Sequence, residues 1–225
     1  PLKGRHGLLD DHRENFERWF PDARMFVKKT DRYYAVLSLL KGGVLKVFDR
    51  DGPIYSDTGL FLRDDDGEVL TSNFVDDYAL DVDVAAGRFG ASGVLSKWKK
   101  QLSSPVKQIG FRGINLTVGR FPQSANLVRS TLQKVLITGK PRTDVRFERT
   151  FEFGDDTITI TDTVDATADR RTFRELAVGP DATSIYVANS NVFQESVLLP
   201  WTDLSAHCET LNSAGRVTLP VRQVV

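Results

Sequence analysis

The sequence predicts an all-β fold: a large antiparallel β-sandwich with a short N-terminal helix or linker. Three observations support this prediction. Short apolar or alternating runs recur along the chain, turn residues separate them at regular intervals, and only one segment has helical spacing. A chain of 225 residues can also bury a substantial core within one large domain.

The composition carries no strong electrostatic bias. The 30 basic and 30 acidic residues cancel, so net charge favours neither nucleic acid nor an anionic membrane surface as a partner. No apolar run approaches the roughly 20 residues that cross a bilayer. The single cysteine, Cys208, excludes an intramolecular disulfide and leaves the compartment open, with export to a bacterial periplasm as one option.

The N-terminal segment is the one with helical spacing. Apolar and aromatic residues recur at helical intervals over residues 8–20, and Pro21 ends the pattern. The chain starts at Pro1, without an initiator methionine or a signal sequence, which indicates a part of a longer protein or a processed product. We therefore expect residues 1–25 to be a linker or helical remnant of an upstream domain, and residues 26–225 to form the β-sandwich.

The rest of the chain reads as strands and turns. The predicted strands span residues 25–28, 33–40, 44–48, 54–62, 78–84, 114–118, 129–138, 174–178, 184–187, 191–197 and 216–224. Glycines 90, 93, 110, 113 and 119 are expected to separate short strands and loops. Asp49, Asp51 and Asp57, like Asp64, Asp65 and Asp66, offer oxygen ligands for calcium, but neither group has the spacing of a twelve-residue calcium loop, and both suit hairpin tips.

The clearest hairpin lies at residues 145–164, where two alternating runs flank Gly154-Asp155-Asp156. With Asp155 and Asp156 at the tip, Phe153 pairs with Ile158 and Arg149 pairs with Asp162. Arg149 and Asp162 are the only charged residues on the two apolar faces. An arginine and a carboxylate at cross-strand distance satisfy each other, whereas either alone would be costly in a core.

This charge pair is predicted to be structural and to hold the strand register. Loss of one partner from a buried site should cost ~3–5 kcal/mol, while replacement of both by apolar groups could be almost neutral. A catalytic or ligand-binding role for Arg149 and Asp162 is the open alternative.

The same hairpin carries a family resemblance. An arginine in one strand, a short acidic turn and Ile160-Thr161-Asp162-Thr163-Val164 in the next resemble the β-sandwich region of heparinase II/III-like polysaccharide lyases. The segment from Lys41-Gly42-Gly43-Val44 to Asp57-Thr58-Gly59 is similar to an earlier part of that region. The resemblance spans roughly residues 26–164 and implies a supersandwich that follows an α/α-toroid.

The resemblance implies no catalytic residue in this chain. Such lyases use a tyrosine or histidine as acid and base, together with a group that neutralises the uronate carboxylate. Many of those catalytic residues belong to the helical part of such lyases, and the histidine associated with the Asp-x-Gly segment has no counterpart near Asp57. The implied partners are an upstream helical domain of the same protein and an acidic polysaccharide.

Trp98 is the candidate substrate-binding residue, flanked by Lys97 and Lys99. An exposed tryptophan packs against the apolar face of a sugar, and neighbouring lysines attract an acidic sugar's carboxylate. The alternative is a loop tryptophan that folds over the sandwich, with solvated lysines beside it.

Histidines and the cysteine predict neither a metal centre nor a cofactor. His6, His12, His207 and Cys208 lack the spacing of zinc ligands. His207 and Cys208 are adjacent, so on a strand they would face opposite ways, and Cys208 is expected to be a small core residue.

Three functions remain open at this point. The first is a mainly structural C-terminal β-sandwich domain of a larger polysaccharide-lyase-like protein that helps to wall a glycan groove. The second is participation in β-elimination of an acidic polysaccharide through tyrosine or arginine side chains of this chain. The third is an independent carbohydrate-binding module centred on Trp98.

Overall fold

Two antiparallel sheets form the described part of the chain, which confirms the predicted all-β sandwich class. The computed structural model describes residues 15–98, 142–179 and 202–225. The first sheet, which we call the small sheet, is a meander in sequence order. Its five strands are β1 (Phe16–Phe20), β2 (Met25–Lys29), β3 (Tyr34–Ser38), β4 (Val44–Phe48) and β5 (Pro53–Asp57).

The second, or large, sheet has ten strands among the described residues. They are β6 (Leu60–Asp64), β7 (Val69–Thr71), β8 (Ala79–Asp83), β9 (Arg88–Trp98), β10 (Arg142–Phe153), β11 (Ile158–Asp165), β12 (Phe173–Val178), β13 (Thr202–Asp203), β14 (Arg216–Thr218) and β15 (Arg222–Val224). Their order is β13-β12-β6-β7-β9-β10-β11-β14, with β8 paired to β9 and β15 paired to β11.

One short α-helix, α1 (Cys208–Ala214), covers part of the large sheet. It follows a 3₁₀ turn at Ser205–His207, and a second 3₁₀ turn lies at Leu39–Lys41. Gly215, with φ of +72°, ends α1 in the left-handed conformation that terminates many helices. The sequence predicted only strands and turns here, because a helix this short shows barely two turns of periodicity. Within the described ranges, no helix is long and apolar enough to cross a membrane.

The N-terminal helix prediction is wrong where the structure tests it. Residues 8–14 lie outside the described part, but Phe16–Phe20 is strand β1, paired with β2. The aromatic residues at 16, 19 and 20 fit helical spacing by coincidence, and pairing with β2 overrides that local pattern. The predicted boundary between residues 25 and 26 therefore falls inside the β1–β2 hairpin.

Three further strand predictions need correction. Residues 54–62 are not one strand: the chain leaves the small sheet after Asp57 and enters the large sheet at Leu60. Gly90 and Gly93 do not separate strands, because both lie within β9. Gly93 is needed there since a Cβ would lie 2.5 Å from the Tyr78 ring. Residues 216–224 also divide, into β14 and β15.

Several predictions agree closely with the structure, and others fall outside it. Residues 25–28, 44–48 and 174–178 lie in β2, β4 and β12. Asp49 and Asp64 cap tight turns by accepting backbone N–H groups, as expected for hairpin tips. The predicted strands at 114–118, 129–138, 184–187 and 191–197, with glycines 110, 113 and 119, lie outside the described residues.

The buried apolar residues form two clusters. The interlayer core joins the two sheets, with Phe26 stacked on Phe89 at a centroid distance of 4.1 Å. The helix-side core lies over the other half of the large sheet and includes Leu211 of α1. Burial of each large side chain stabilises the fold by roughly 1.5–3 kcal/mol. The boundary between these cores is where the charged residues described next are found.

Candidate functional site

The hairpin β10–β11 has the predicted register. Phe153 pairs with Ile158, and Arg149 pairs with Asp162. The Nε atom of Arg149 donates to Oδ1 of Asp162 at 2.8 Å, and both side chains are 0% exposed. The contact between these two residues is therefore confirmed, together with their burial.

Arg149 also binds a second carboxylate that the sequence did not predict. Its Nη1 and Nη2 atoms donate to Oδ1 and Oδ2 of Asp57 at 3.0 and 2.6 Å. Nη1 donates in addition to the carbonyl oxygen of Gly43 at 2.8 Å, and Nη2 to Oδ2 of Asp162 at 3.3 Å. All five N–H groups of the guanidinium thus have acceptors.

Arg222 completes a group of four charges. Its Nη1 atom donates to Oδ2 of Asp57 at 3.1 Å and to the hydroxyl oxygen of Tyr55 at 2.9 Å, and its Nη2 atom donates to Asp162. Arg149, Asp57, Arg222 and Asp162 therefore alternate in sign, and we call them the charge quartet. Two positive and two negative groups leave it formally neutral.

Local backbone features position Asp57 for this role. Asp57 ends β5, and its Oδ1 atom accepts the N–H of Gly59 at 2.9 Å. Gly59 has φ of +110°, and a Cβ there would lie 2.6 Å from Oγ of Ser72. The Asp57-Thr58-Gly59 segment is thus the crossing point between the sheets, where glycine permits the sharp change of direction.

The quartet joins the two layers at the boundary between the two cores. Along β10 the buried face contains Phe147 in the helix-side core, then Arg149, then Phe151 in the interlayer core. Along β11, Asp162 lies in the same way between Ile160 and Val164. Because Asp57 comes from the small sheet and its partners from the large sheet, the quartet ties the layers in one register.

Burial and neighbouring charges shift the pKa values of Asp57 and Arg149 in opposite directions. Burial by itself raises the pKa of Asp57, but Arg149 and then Arg222 outweigh it and hold that pKa below its ordinary value. Burial likewise opposes the charge of Arg149, yet Asp162 and Asp57 raise its pKa above the usual range. Asp57 and Arg149 therefore stay charged at neutral pH.

The geometry favours the structural reading of Arg149 and Asp162 over the catalytic one. Neither side chain is accessible, so neither can touch a polysaccharide in this conformation. Tyr55 contacts the quartet and has a side chain with acid–base chemistry, but burial, and then the charge of Asp57, raise its pKa above the ordinary value. A tyrosine whose phenolate is disfavoured in this way is a poor general base.

Trp98 lies at the end of β9, not in a loop. Its ring packs edge-to-face against Phe61, with centroids 6.3 Å apart. Lys97 faces the other side of the sheet, since neighbours along a strand alternate, and its Nζ atom lies 2.7 Å from Oε2 of Glu68. Lys99 lies outside the described residues. A sugar-binding role for Trp98 stays a prediction, and Lys97 does not share its surface.

A groove of about 500 Å³ crosses the outer face of the large sheet. It is formed mainly by the face of β10 and β11 that carries Arg146 and Asp165, and Tyr78 and Phe147 of the helix-side core also line it. Ten of the residues that line it are Asp76, Asp77, Tyr78, Ser92, Arg142, Arg146, Glu148, Thr163, Asp165 and Arg216. The sequence did not single out this face, because its alternating polar residues look like an ordinary solvated strand surface.

The described histidine and cysteine residues form no reactive pair. Cys208 is buried, as predicted, although at the start of α1 and not on a strand. Burial raises the pKa of its thiol to about 11, which disfavours the nucleophilic thiolate. Within residues 15–98, 142–179 and 202–225, no group of three or more His, Cys, Asp or Glu side chains is arranged to hold a metal ion.

Asp57 and Arg222 are the members of the quartet whose contact with the Arg149–Asp162 pair sequence reasoning missed. Asp57 had one signal, a charged residue within an apolar run and two positions before a glycine. Arg222 had none, because its short strand contains no clear apolar alternation that a charge could break. Comparisons with protein-family models, curated proteins and solved structures return no match to this chain.

Proposed function

We propose that this chain is a mainly structural β-sandwich domain of a larger polysaccharide-lyase-like protein. In this proposal it docks an upstream helical domain of the same protein and contributes one wall of a glycan groove. The observation that carries the docking part is the outer face of the small sheet, which is apolar and free of acidic residues.

The strand register assigns twelve residues of β1–β4 to this outer face. They are Phe16, Arg18, Phe20, Met25, Val27, Lys29, Tyr34, Val36, Ser38, Val44, Lys46 and Phe48. Eight are apolar or aromatic, three are basic and one is serine. Phe16, Phe20 and Tyr34 are each exposed by 38–39%. A sheet face of this composition is typical of a surface that another layer covers.

The occupant is inferred from charge and shape. Three basic residues and no acidic one would repel a second copy of the same face, so a twofold self-association is disfavoured. Helices that pack on a sheet bring a broad apolar stripe with polar residues on its borders. The proposed partner is therefore a helical layer with acidic residues at the edge of its apolar stripe, as an upstream domain of the same polypeptide would supply.

The quartet supports the non-catalytic part of the proposal. Arg149, Asp57 and Asp162 are fully buried and satisfy one another, and Arg222, 12% exposed, binds both carboxylates, so these conspicuous charges are accounted for by the fold. Participation in β-elimination is the less supported reading, because Tyr55 and Arg222 are engaged with Asp57. It is tested by incubation with uronate polymers, read at the absorbance of the unsaturated product. Product formation by this chain alone, lost in Tyr55→Phe, would establish the enzymatic reading.

The docking proposal is tested by binding of the separately produced upstream region to this chain, measured by calorimetry. Tyr34→Glu places a negative charge on the outer face and should abolish binding. Val84→Glu is a matched control, because Val84 is 37% exposed and lies in the turn between β8 and β9 of the large sheet, away from this face. Equal binding of both variants, or no binding by the unmodified chain, contradicts the proposal. If the chain is instead an independent carbohydrate-binding module centred on Trp98, it should bind glycans on an array, and Trp98→Ala should abolish that binding.

A further inference from the structure

The groove on the outer face of the large sheet contains charged side chains that face one another without direct side-chain hydrogen bonds among the described residues. Register places Arg146 opposite Asp165, and Asp165 opposite Arg216. The carboxylate of Asp165 accepts from the hydroxyl and the N–H of Thr167 at 2.6 and 3.0 Å. The charges of Arg216 and Arg146 help Thr167 to lower the pKa of Asp165, but neither guanidinium makes a hydrogen bond or an ion pair to a side chain of the described residues.

Hydrogen-bond acceptors and hydroxyls lie beside these donors. Glu148 is two residues from Arg146 on the same face of β10, and its carboxylate makes no hydrogen bond or ion pair with a described residue. Thr163 pairs with Glu148, and its hydroxyl lies 3.3 Å from that of Thr218. One stretch of the groove therefore presents donors, acceptors and hydroxyls at cross-strand spacing, about 5 Å apart.

The rim of the groove is held in place by the core beneath it. The Tyr78 hydroxyl donates to the carbonyl oxygen of Ser72 at 2.9 Å, and the Tyr78 ring packs edge-to-face on Phe147 at 5.3 Å. Next to it, Nη2 of Arg142 lies 3.1 Å from Oδ1 of Asp76. A rim positioned in advance reduces the ordering cost of binding.

The charge of the groove argues against a strongly anionic ligand. Three arginines line it, at 142, 146 and 216, and four acidic residues, at 76, 77, 148 and 165, so the formal sum of these seven is 3 − 4 = −1. Such a surface does not concentrate a polyanion. Arginine forks and carboxylates interspersed with hydroxyls instead match the vicinal hydroxyl groups of a sugar, which both donate and accept.

We propose that this groove binds an uncharged, hydroxyl-rich saccharide chain. Arg146 and Arg216 donate to the sugar hydroxyls, and Glu148 accepts from them. Its volume lies within the roughly 300–1,000 Å³ usual for ligand sites. The inference rests on the glycan-wall part of the proposed function and revises the expected ligand from an acidic to a neutral saccharide. The groove and the docking face lie on opposite sides of the sandwich.

The test is titration of the complete chain with neutral and acidic hexasaccharides, measured by calorimetry and by NMR shift changes. Cellohexaose, xylohexaose and mannohexaose are the neutral probes; oligogalacturonate and heparin hexasaccharides are the acidic ones. At least one neutral probe should bind, and Arg146→Ala with Arg216→Ala should weaken it tenfold or more. Glu148→Ala should act in the same direction.

Two control variants keep the result specific. Arg88→Ala removes an arginine from the same sheet face but outside the groove. Trp98→Ala removes the sugar-binding residue that the sequence predicted. Each variant should change the affinity for the neutral probe less than twofold. Unchanged melting temperatures establish that the groove variants are folded. Binding of no neutral probe, or tighter Arg146-dependent binding of an acidic one, overturns the inference. Either outcome leaves the docking test with Tyr34→Glu unaffected.

Discussion

Replacement of Arg149 by methionine tests the charge quartet directly. The change removes all five hydrogen bonds of the guanidinium and leaves Asp57 and Asp162 facing Arg222 alone. The site changes from neutral to a formal charge of −1, where both carboxylate side chains are 0% exposed. An uncompensated buried charge of this kind costs ~3–5 kcal/mol in the free energy of unfolding. For a domain of this size that corresponds to a fall in melting temperature of roughly 6–20 °C.

A second substitution separates the charge effect from lost packing. Asp162→Asn alone leaves two positive charges against one negative charge and should also destabilise the protein. In combination with Arg149→Met, it restores neutrality through Asp57 and Arg222. The double variant should therefore be more stable than the sum of the single losses predicts, by about 1–3 kcal/mol. Asparagine suits this test better than leucine, because its amide oxygen can still accept from Arg222.

Urea unfolding followed by circular dichroism measures all three variants. Arg88→Met is the matched control: its partner Asp81 lies 3.2 Å away, and their side chains are 47% and 69% exposed. Removal of that surface pair should cost only about 0.2–1 kcal/mol. Losses at Arg149 and Asp162 that add within 0.5 kcal/mol, or a loss at Arg149 no larger than at Arg88, would refute the coupling.

Three further predictions follow from individual residues. The pKa of Asp57 is lower in the folded protein than in the unfolded chain, where it is about 3.9. The stabilisation by its carboxylate is therefore complete above a pH of about 3.9 and is lost progressively as the pH falls from there through the folded pKa. Asp57→Asn should reduce the difference in unfolding free energy between pH 7 and pH 3. Gly43→Ala should cost about 2 kcal/mol or more in urea melts, because φ is +85° and the new Cβ would lie 2.7 Å from the Phe151 ring, whereas Gly52→Ala, with nothing within 4 Å, should cost less. Cys208 should react with a thiol reagent at pH 8 much more slowly in the native protein than in guanidinium chloride, and equal rates would contradict its burial.

The hairpin was predictable in detail because its information is local. Alternation along residues 145–153 and 158–164 defines two faces, and the short turn leaves one register that pairs them. The charged exceptions, Arg149 and Asp162, then coincide across the strands. The β4 strand and the acidic turns were predictable for the same reason, since pattern and turn chemistry lie within a few residues.

Contacts between distant segments were not predictable in this way. Asp57 and Arg149 are 92 positions apart, and Asp57 and Arg222 are 165 apart. The segment at 16–20 became a strand because β2 was available to pair with it, although its own spacing suggested a helix. Trp98 and Lys97, which looked like one binding surface, lie on opposite faces because they belong to a strand.

The sequence by itself determined that this protein is built from antiparallel strands, and it determined which residues of its central hairpin face inward. Only the tertiary structure decided that Arg149 binds two carboxylates, one from each sheet. It also decided that a polar groove crosses the outer face of the large sheet, for which the sequence predicted no function. The physical reason is range. Side-chain alternation and turn geometry act between neighbours along the chain, whereas the neutrality of a buried charge depends on every group that folding brings within a few ångströms.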